Sequence, residues 1–256
     1  MNALLRWLKT PAKPCLGVRS VSRTHTGRIR TINEDRVLDR PDLGLWAVAD
    51  GMGGHRAGDV AATGLIDNLT QWGECPDGET LGAAIARAHD GLRARIGGEG
   101  GTTLVALSSG DAGAEIHWAG DSRAYLIRAG GLRQLTRDHS VVQRLLDAGL
   151  IDEAGAKAHP QASVITSALG MAAEPVIDTL TPTIRSGDRL LLCSDGLWGE
   201  VEDAEIESIV NQTSDNRIVS RELIRAAHMG GGKDNISVIL VNVPGELSVA
   251  DDAPRD

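Results

Sequence analysis

Apolar side chains recur at helical spacing in two early segments of the chain. In 57–70 they fall four positions apart, at Ala61, Leu65 and Leu69, and a longer stripe of the same kind runs through 80–96. Farther along, Ser140-Val-Val-Gln143 ahead of two leucines fits a helix capping box. These patterns predict helices at 57–70, at 80–96 and after Ser140, and two more are predicted at 203–212 and 219–228.

Short apolar runs rich in β-branched residues and Leu, separated by Gly-rich or polar turns, predict strands. They are 102–107, 115–119, 123–128, 189–193 and 236–243, with an earlier pair at 16–23 and 44–49. Paired helices among hairpin-like strands indicate an α+β sandwich with the sheets inside and the helices outside. A parallel nucleotide-binding sheet is not indicated, because it would need a regular alternation of strand and helix.

Composition and charge narrow the class of protein. The chain is 41% hydrophobic and 24% charged, which is ordinary for a globular protein, and its net charge is -9. The negative charge and the lack of a basic stripe argue against nucleic-acid binding. Three widely spaced cysteines, Cys15, Cys75 and Cys193, favour reduced thiols and a cytoplasmic location.

The two ends of the chain differ from its middle. Residues 1–15 hold an apolar stretch too short to span a bilayer and no signal-peptide core, so we expect a flexible leader; a weak membrane-surface or partner-docking helix is the alternative. Residues 244–256 are acidic and bounded by proline, which predicts a disordered tail. The segment 16–243 contains no linker or repeat and is expected to form one domain, and no transmembrane segment is expected.

A glycine run near the end of the chain, Gly230-Gly231-Gly232-Lys233-Asp234, superficially resembles a phosphate-binding loop. That loop requires Gly, four residues, Gly-Lys and then Ser or Thr. Here the first position is Ala227 and the last is Asp234, so the motif fails at both ends. Asp234 at the mouth of an apolar strand suits a hard cation, although a plain Asp-Asn turn is the simpler interpretation of this site taken alone.

Acidic residues end or interrupt apolar runs in four further places. The stretches are NED (33–35), ADG (49–51), AGDS (119–122) and CSDG (193–196). A buried strand end is an unfavourable place for an unpaired carboxylate, so repeated acids there indicate bound cations. Oxygen ligands without a His or Cys cluster select Mg²⁺ or Mn²⁺ over zinc. The alternative is that each Asp-Gly forms a tight turn and that the acids lie apart from one another in space.

Eight short motifs in order carry a resemblance to a known family. They are NED (33–35), ADGMGGH (49–55), GTT (101–103), WAGDSR (118–123), TRDHS (136–140), SALG (167–170), LLCSDGLW (191–198) and GGKDNIS (231–237). Over about 16–243 they resemble the metal-dependent protein phosphatases (PPM family, protein phosphatase 2C type) in their bacterial form. The resemblance implies a four-layer α-β-β-α sandwich, in which helix pairs flank two antiparallel sheets and a dinuclear metal centre lies at one end.

The resemblance also implies the ligands of two Mn²⁺ or Mg²⁺ ions. The carboxylates expected to bind directly are Asp35, Asp50, Asp195 and Asp234, with Asp50 bridging both ions. The Gly51 carbonyl would bind one ion, and Glu34 would contact one through water. A third, weaker metal would use Asp121 together with Asp195.

The resemblance also implies which residues bind the substrate phosphate and which residue acts as the general acid. Arg30 stands where the family places a phosphate-binding arginine, and a guanidinium can hold two phosphate oxygens in a forked geometry. The family hydrolyses phosphate esters by attack of a metal-activated water, without a phospho-enzyme. Met52 replaces the general-acid His of eukaryotic members, so His55 is the candidate acid, with a hydrogen-bonded loop His as the alternative. Residues 141–165 align with the variable flap beside the active site.

The function implied is that of a protein serine/threonine phosphatase acting on phosphoserine and phosphothreonine. We expect a cytoplasmic monomer that opposes a bacterial Ser/Thr kinase, with phosphorylated proteins, including that kinase and its substrates, as partners. A phosphatase of an anti-anti-sigma-type regulator and a catalytically inactive binding module of the same fold are the alternatives. The presence of all the acids and of Arg30 argues against the inactive module.

Overall fold

The computed structural model describes residues 18–53, 57–74, 79–110, 113–171 and 174–244. The strands are β1 (Arg19–His25), β2 (Asp35–Arg40), β3 (Leu45–Gly53), β4 (Gly100–Thr102), β5 (Leu104–Gly110), β6 (Gly113–Ala119), β7 (Arg123–Arg128), β8 (Gly131–Gln134), β9 (Asp178–Leu180), β10 (Arg189–Cys193) and β11 (Ile236–Asn242). The helices are α1 (Ala57–Glu74), α2 (Leu81–Ile96), α3 (Val141–Asp147), α4 (Glu153–Ala158), α5 (Asp195–Trp198), α6 (Asp203–Val210) and α7 (Asn216–Gly230).

The strands form two sheets. One has the order β1-β11-β10-β7-β8, and the other has the order β2-β3-β5-β6-β9, with β4 paired to β3. The pairings between these strands are antiparallel. The chain therefore crosses repeatedly between the same two ends of the molecule.

Alternating side chains along the central strands define four layers. On β3, Leu45, Ala47 and Ala49 pack with α1 and α2, whereas Trp46 and Val48 enter the core between the sheets. Strands β10 and β11 alternate in the same way, with one face toward α6 and α7 and the other toward the opposite sheet. Because successive side chains of a strand point to opposite faces, a strand buried on both faces needs such an apolar run. The predicted α-β-β-α sandwich is confirmed.

Several elements differ from the pattern-based expectation: strands β2, β8 and β9 and the short helices α4 and α5 were not predicted, and one predicted strand is divided. The predicted strand 102–107 is divided into β4 and β5 at Thr103, whose N–H donates to the Asp50 carbonyl (2.9 Å) and whose Oγ1 accepts from the Asp50 N–H (3.1 Å). Strand β2, with the sequence DRVLDR, was not predicted. It lies at the edge of its sheet with most of its side chains half-buried, and an edge strand needs few apolar residues.

Helix starts follow their capping residues. Ser140 Oγ accepts from the Gln143 N–H (3.1 Å) at the start of α3, as predicted, but the Gln143 side chain donates to Asp147 instead of completing the capping box. Helix α7 begins at Asn216, three residues before the predicted start, because Asp215 accepts from the Arg217 N–H (2.8 Å). Some predicted features lie outside the described residues. They are the leader 1–15, the candidate acid His55 and residues 245–256 of the expected tail.

Candidate metal centre

Five acidic residues from distant parts of the chain meet at one end of the sandwich. Asp35 begins β2, Asp50 lies late in β3, Asp121 precedes β7, Asp195 follows β10, and Asp234 precedes β11. Asp35 and Asp50 are direct partners in the β2–β3 register, so their side chains share one face of the sheet. Two carboxylates directly opposite each other repel, which makes the pair unfavourable without a positive charge.

Asp35 is the most deeply placed of these acids. It is 2% exposed, its Oδ2 accepts from Ser194 Oγ (2.8 Å), and its Oδ1 has no hydrogen-bond partner in the described part of the chain. Burial, reinforced by repulsion from Asp195 and Asp234, raises the pKa of Asp35 to about 7, against hydrogen bonds from Ser237 and Ser194. The site thus contains a buried oxygen that lacks a donor.

The pKa values of Asp50, Asp121 and Asp195 are also raised. Burial, followed by repulsion from Asp35, Asp195, Asp121 and Asp234, raises the pKa of Asp50 well above its ordinary value. Burial and repulsion from Asp195 do the same to the pKa of Asp121. The pKa of Asp195 is raised to about 6, mainly by burial and by Asp234, and its Oδ1 also lacks a hydrogen-bond partner among the described residues.

This donor set fits hard divalent cations. The groups are carboxylate oxygens, two of which are buried without donors, and their mutual repulsion would be relieved by positive charge. Among the described residues, no three His, Cys, Asp or Glu side chains already stand in the arrangement of a finished ion site. The five acids are therefore neighbours that do not form a complete ion cage among the described residues.

Glycine allows the chain to cross itself tightly beside Asp50. A Cβ on Gly51 would lie 2.4 Å from the Gly58 carbonyl oxygen in the first turn of α1 and 2.8 Å from the Glu34 carbonyl oxygen. A Cβ on Gly58 would lie 2.6 Å from the Gly51 carbonyl carbon. Only glycine at both positions permits this approach, which brings the main chains of Gly51 and Glu34 together at the cluster.

Arg30 reaches the cluster through Asp234. Its Nη2 lies 2.7 Å from Asp234 Oδ2, and its side chain is 53% exposed. Arg30 therefore stands at the rim, where one side of the guanidinium contacts a candidate metal ligand and the rest faces solvent. Asp234 is the one acid of the cluster that has an arginine partner in the described structure.

Asn235, which was not among the predicted site residues, holds the loop that carries Arg30 in place. Asn235 is buried, its Nδ2 donates to the carbonyls of Thr26 and Ile32 (2.9 Å each), and its Oδ1 accepts from the Glu34 N–H (2.8 Å). This side chain positions the start of β2 relative to the start of β11. Its only sequence signal is a polar amide between an acid and a buried apolar strand.

Lys233 and His139 belong to the sequence motifs but have structural contacts away from the acidic side chains of the cluster. Lys233 pairs with Glu200 (Nζ–Oε1 3.3 Å) and is largely exposed. Gly231 and Gly232 adopt positive φ values of 155° and 56°, and the loop bends there just before Asp234. The N-cap of α3 is Ser140, and the preceding His139 does not cap the helix. His139 instead accepts from the Gly120 N–H at Nδ1 (3.2 Å) and holds the turn before Asp121.

Comparison with known proteins identifies the family. The family described as "Protein phosphatase 2C" matches residues 18–145. The "Serine/threonine phosphatase stp" of Listeria innocua is 38% identical over 235 residues, which cover 86% of this chain and 93% of that protein. The chain belongs to the protein phosphatase 2C family.

Solved structures agree with this assignment. PppA, described as a key regulatory component of T6SS in Pseudomonas aeruginosa, matches with a TM-score of 0.77 and 37% identity, over 88% of this chain and 96% of that one. The catalytic domain of the serine/threonine protein phosphatase PstP, solved with two manganese ions, matches with a TM-score of 0.77 and 36% identity, over 89% of this chain and 98% of that one. The predictions of family, fold and metal-dependent protein serine/threonine phosphatase activity are confirmed.

No helix within the described ranges is long and apolar enough to cross a membrane.

Proposed function

We propose that the acid cluster at the end of the sandwich is a two-metal centre at which this phosphatase hydrolyses phosphoserine and phosphothreonine in proteins. The observation that carries the proposal is the set of buried carboxyl groups with raised pKa values and donor-free oxygens. A cluster of this kind is unfavourable for stability and is expected where it serves a function. It also argues against the inactive binding module, whose acids would have no reason to stay together.

Asp35, Asp50, Asp195 and Asp234 would hold two Mn²⁺ or Mg²⁺ ions, with Asp50 between them, the Gly51 carbonyl on one ion and Glu34 in contact through water. Bound there, the ions would supply a water of lowered proton affinity and positive charge for the phosphoryl oxygens. Asp121 and Asp195 are the residues for a third, weaker metal. The turn that holds Asp121 is fixed by His139 and by Trp198, whose Nε1–H donates to the Asp121 carbonyl (3.0 Å).

Arg30 would bind the phosphate. Its guanidinium stands at the rim of the cluster, half exposed, and is already oriented by Asp234. A planar donor fork in this position suits two oxygens of a phosphate monoester and would hold the phosphorus close to the cluster. His55 is the candidate for protonating the leaving alkoxide, as the nearest His in sequence to the Asp50-Gly51 stretch.

The finer biological assignments belong to the same proposal. The phosphatase domain spans 16–243 and includes the flap at 141–165, and the protein acts as a cytoplasmic monomer that opposes a Ser/Thr kinase and dephosphorylates that kinase and its substrates. The relatives named as serine/threonine phosphatases support this assignment. No feature of the described residues favours the anti-anti-sigma-type regulator as the substrate.

Metal dependence tests the proposal directly. The purified protein should hydrolyse p-nitrophenyl phosphate and a phosphothreonine peptide only when Mn²⁺ or Mg²⁺ is added, and EDTA should abolish both activities. Inductively coupled plasma mass spectrometry of the dialysed Mn²⁺ form should find close to two ions per chain. Turnover that persists in EDTA, or a loaded protein with fewer than two ions, would contradict the two-metal centre.

A further inference from the structure

We propose that Ile29 and Ile32 form an apolar contact surface on either side of Arg30 that selects phosphorylated segments with aliphatic residues next to the phosphoresidue. This inference rests on the proposed function, because it assumes that Arg30 holds the substrate phosphate. It adds the chemical class of the preferred substrate, which neither the fold nor the acid cluster determines.

The two isoleucines stand out because they are exposed. Ile29 is 69% exposed and Ile32 is 49% exposed, directly before Arg30 and two residues after it. Scattered apolar residues on a surface need no explanation, but these two flank the residue that would bind phosphate. Both lie within two residues of Arg30, and the proposal places them under a substrate segment that is seated on this arginine.

The loop that carries the isoleucines is held at several points. The Arg28 N–H donates to the Gly232 carbonyl (2.7 Å), and Asn235 Nδ2 donates to the carbonyls of Thr26 and Ile32. At Gly27, with φ of +81°, a Cβ would lie 2.1 Å from the Asp234 carbonyl oxygen, so the loop packs directly on the segment that carries Asp234. These contacts fix the loop backbone, so the apolar surface is presented without a large further cost of ordering on binding.

The chemistry of the surface favours aliphatic partners. An extended peptide advances about 3.3 Å per residue, so residues within about two positions of the phosphoresidue would lie over the isoleucines. Burying aliphatic side chains against Ile29 and Ile32 is favourable, whereas a polar residue there would lose water without gaining a partner. The preference is therefore expected to reside in the peptide around the phosphoresidue and to be independent of the phosphate itself.

The test compares two phosphothreonine peptides that differ only in the flanking residues, which are Leu in one and Gln in the other. For the Mn²⁺-loaded wild type, kcat/KM should favour the Leu peptide by roughly tenfold. In the Ile29→Ser, Ile32→Ser double variant that ratio should fall to about one to two. Hydrolysis of p-nitrophenyl phosphate, which has no flanking residues, is measured alongside as the reference for the metal chemistry.

Two control variants make the result specific. Ile218→Ser removes an isoleucine of comparable exposure (40%) near the start of α7, and it should keep the wild-type ratio. Arg30→Ala should raise KM for both peptides and leave their ratio in place. A wild type without preference, a double variant that keeps the ratio, or Ile218→Ser losing it would overturn the inference. Metal-independent hydrolysis of p-nitrophenyl phosphate would instead overturn the proposed function.

Discussion

Two aspartates at opposite ends of the sandwich are equally buried, but their pKa values are shifted in opposite directions. Asp188, just before β10, and Asp35, at the start of β2, are each 2% exposed. Arg128 holds Asp188 with two hydrogen bonds (Nε–Oδ1 2.8 Å and Nη2–Oδ2 2.6 Å), and this lowers the pKa of Asp188. The pKa of Asp35 is raised to about 7 by burial and by neighbouring carboxylates.

The difference lies in the source of the positive charge. At the Asp188 end the chain supplies its own guanidinium, and the carboxylate is part of the stabilising structure. At the Asp35 end, the ion pair that the described residues form with an acid of the cluster is that of Arg30 with Asp234. Buried carboxyl groups that lack a cationic partner either bind a proton, as the raised pKa of Asp35 indicates, or bind a cation from solution, as in a metal centre.

The largest expected effect is the loss of activity in Asp50→Asn. Removing one charge from the acid that lies between both proposed ions should lower kcat for p-nitrophenyl phosphate on the order of 10²- to 10³-fold. The Tm of the metal-free protein should not fall, because the substitution removes repulsion within the cluster. Steady-state kinetics with Mn²⁺ and thermal melts in EDTA measure the two quantities. Wild-type turnover would remove Asp50 from the site.

Arg128→Gln should show the reverse pattern. It removes the guanidinium that pairs with the buried Asp188, so the free energy of unfolding should decrease. The kcat of the folded variant should stay close to that of wild type, because the pair lies at the end of the sandwich away from the acid cluster. Urea titration and kinetics on the same preparation would check this. A variant of unchanged stability and lowered kcat would undo the contrast between the two ends.

A third expected effect is the pH dependence of stability without metal. Asp35 and Asp195 titrate at about 7 and about 6 in the folded state, above the ordinary value near 3.8, so between about pH 4 and 7 the folded protein binds more protons than the unfolded chain. Stability in EDTA should therefore fall as pH rises through this window, by at most about 1.4 kcal/mol per pH unit for each group.

The same measurement separates the cluster from the rest of the protein. Asp35→Asn should flatten the decline, and saturating Mn²⁺ should suppress it, because a bound cation stabilises the ionised carboxylates. Asp188, with its lowered pKa, contributes stability that is lost at low pH, below its ordinary value, and so outside this window. Stability that rises between pH 5 and 7 in EDTA would contradict the raised pKa values.

Much of the sandwich could be predicted from the sequence because both of its sheets are buried on two faces. Strands β10 and β11 are continuous apolar runs, and the stripes on α1 and α2 each match one helix face. Strand β2 could not be predicted in this way, because an edge strand with half-buried side chains carries no apolar run. The role of Asn235 was equally hidden, since its three hydrogen bonds reach residues some two hundred positions earlier.

By itself the sequence determined the layer order, through the period of its apolar residues, and the candidate acids, through their places at the ends of apolar runs. Their convergence was decided only by the tertiary structure. Antiparallel pairing brings the start of β2, the late part of β3, the end of β10 and the start of β11 to the same end of the molecule. The physical reason is that local spacing along a strand fixes which of its residues are exposed or buried. The electrostatic properties of the site depend on distances between residues of different strands, which only the strand register sets. These properties are the mutual repulsion of the acids, their unpartnered oxygens and the contact of Arg30 with Asp234.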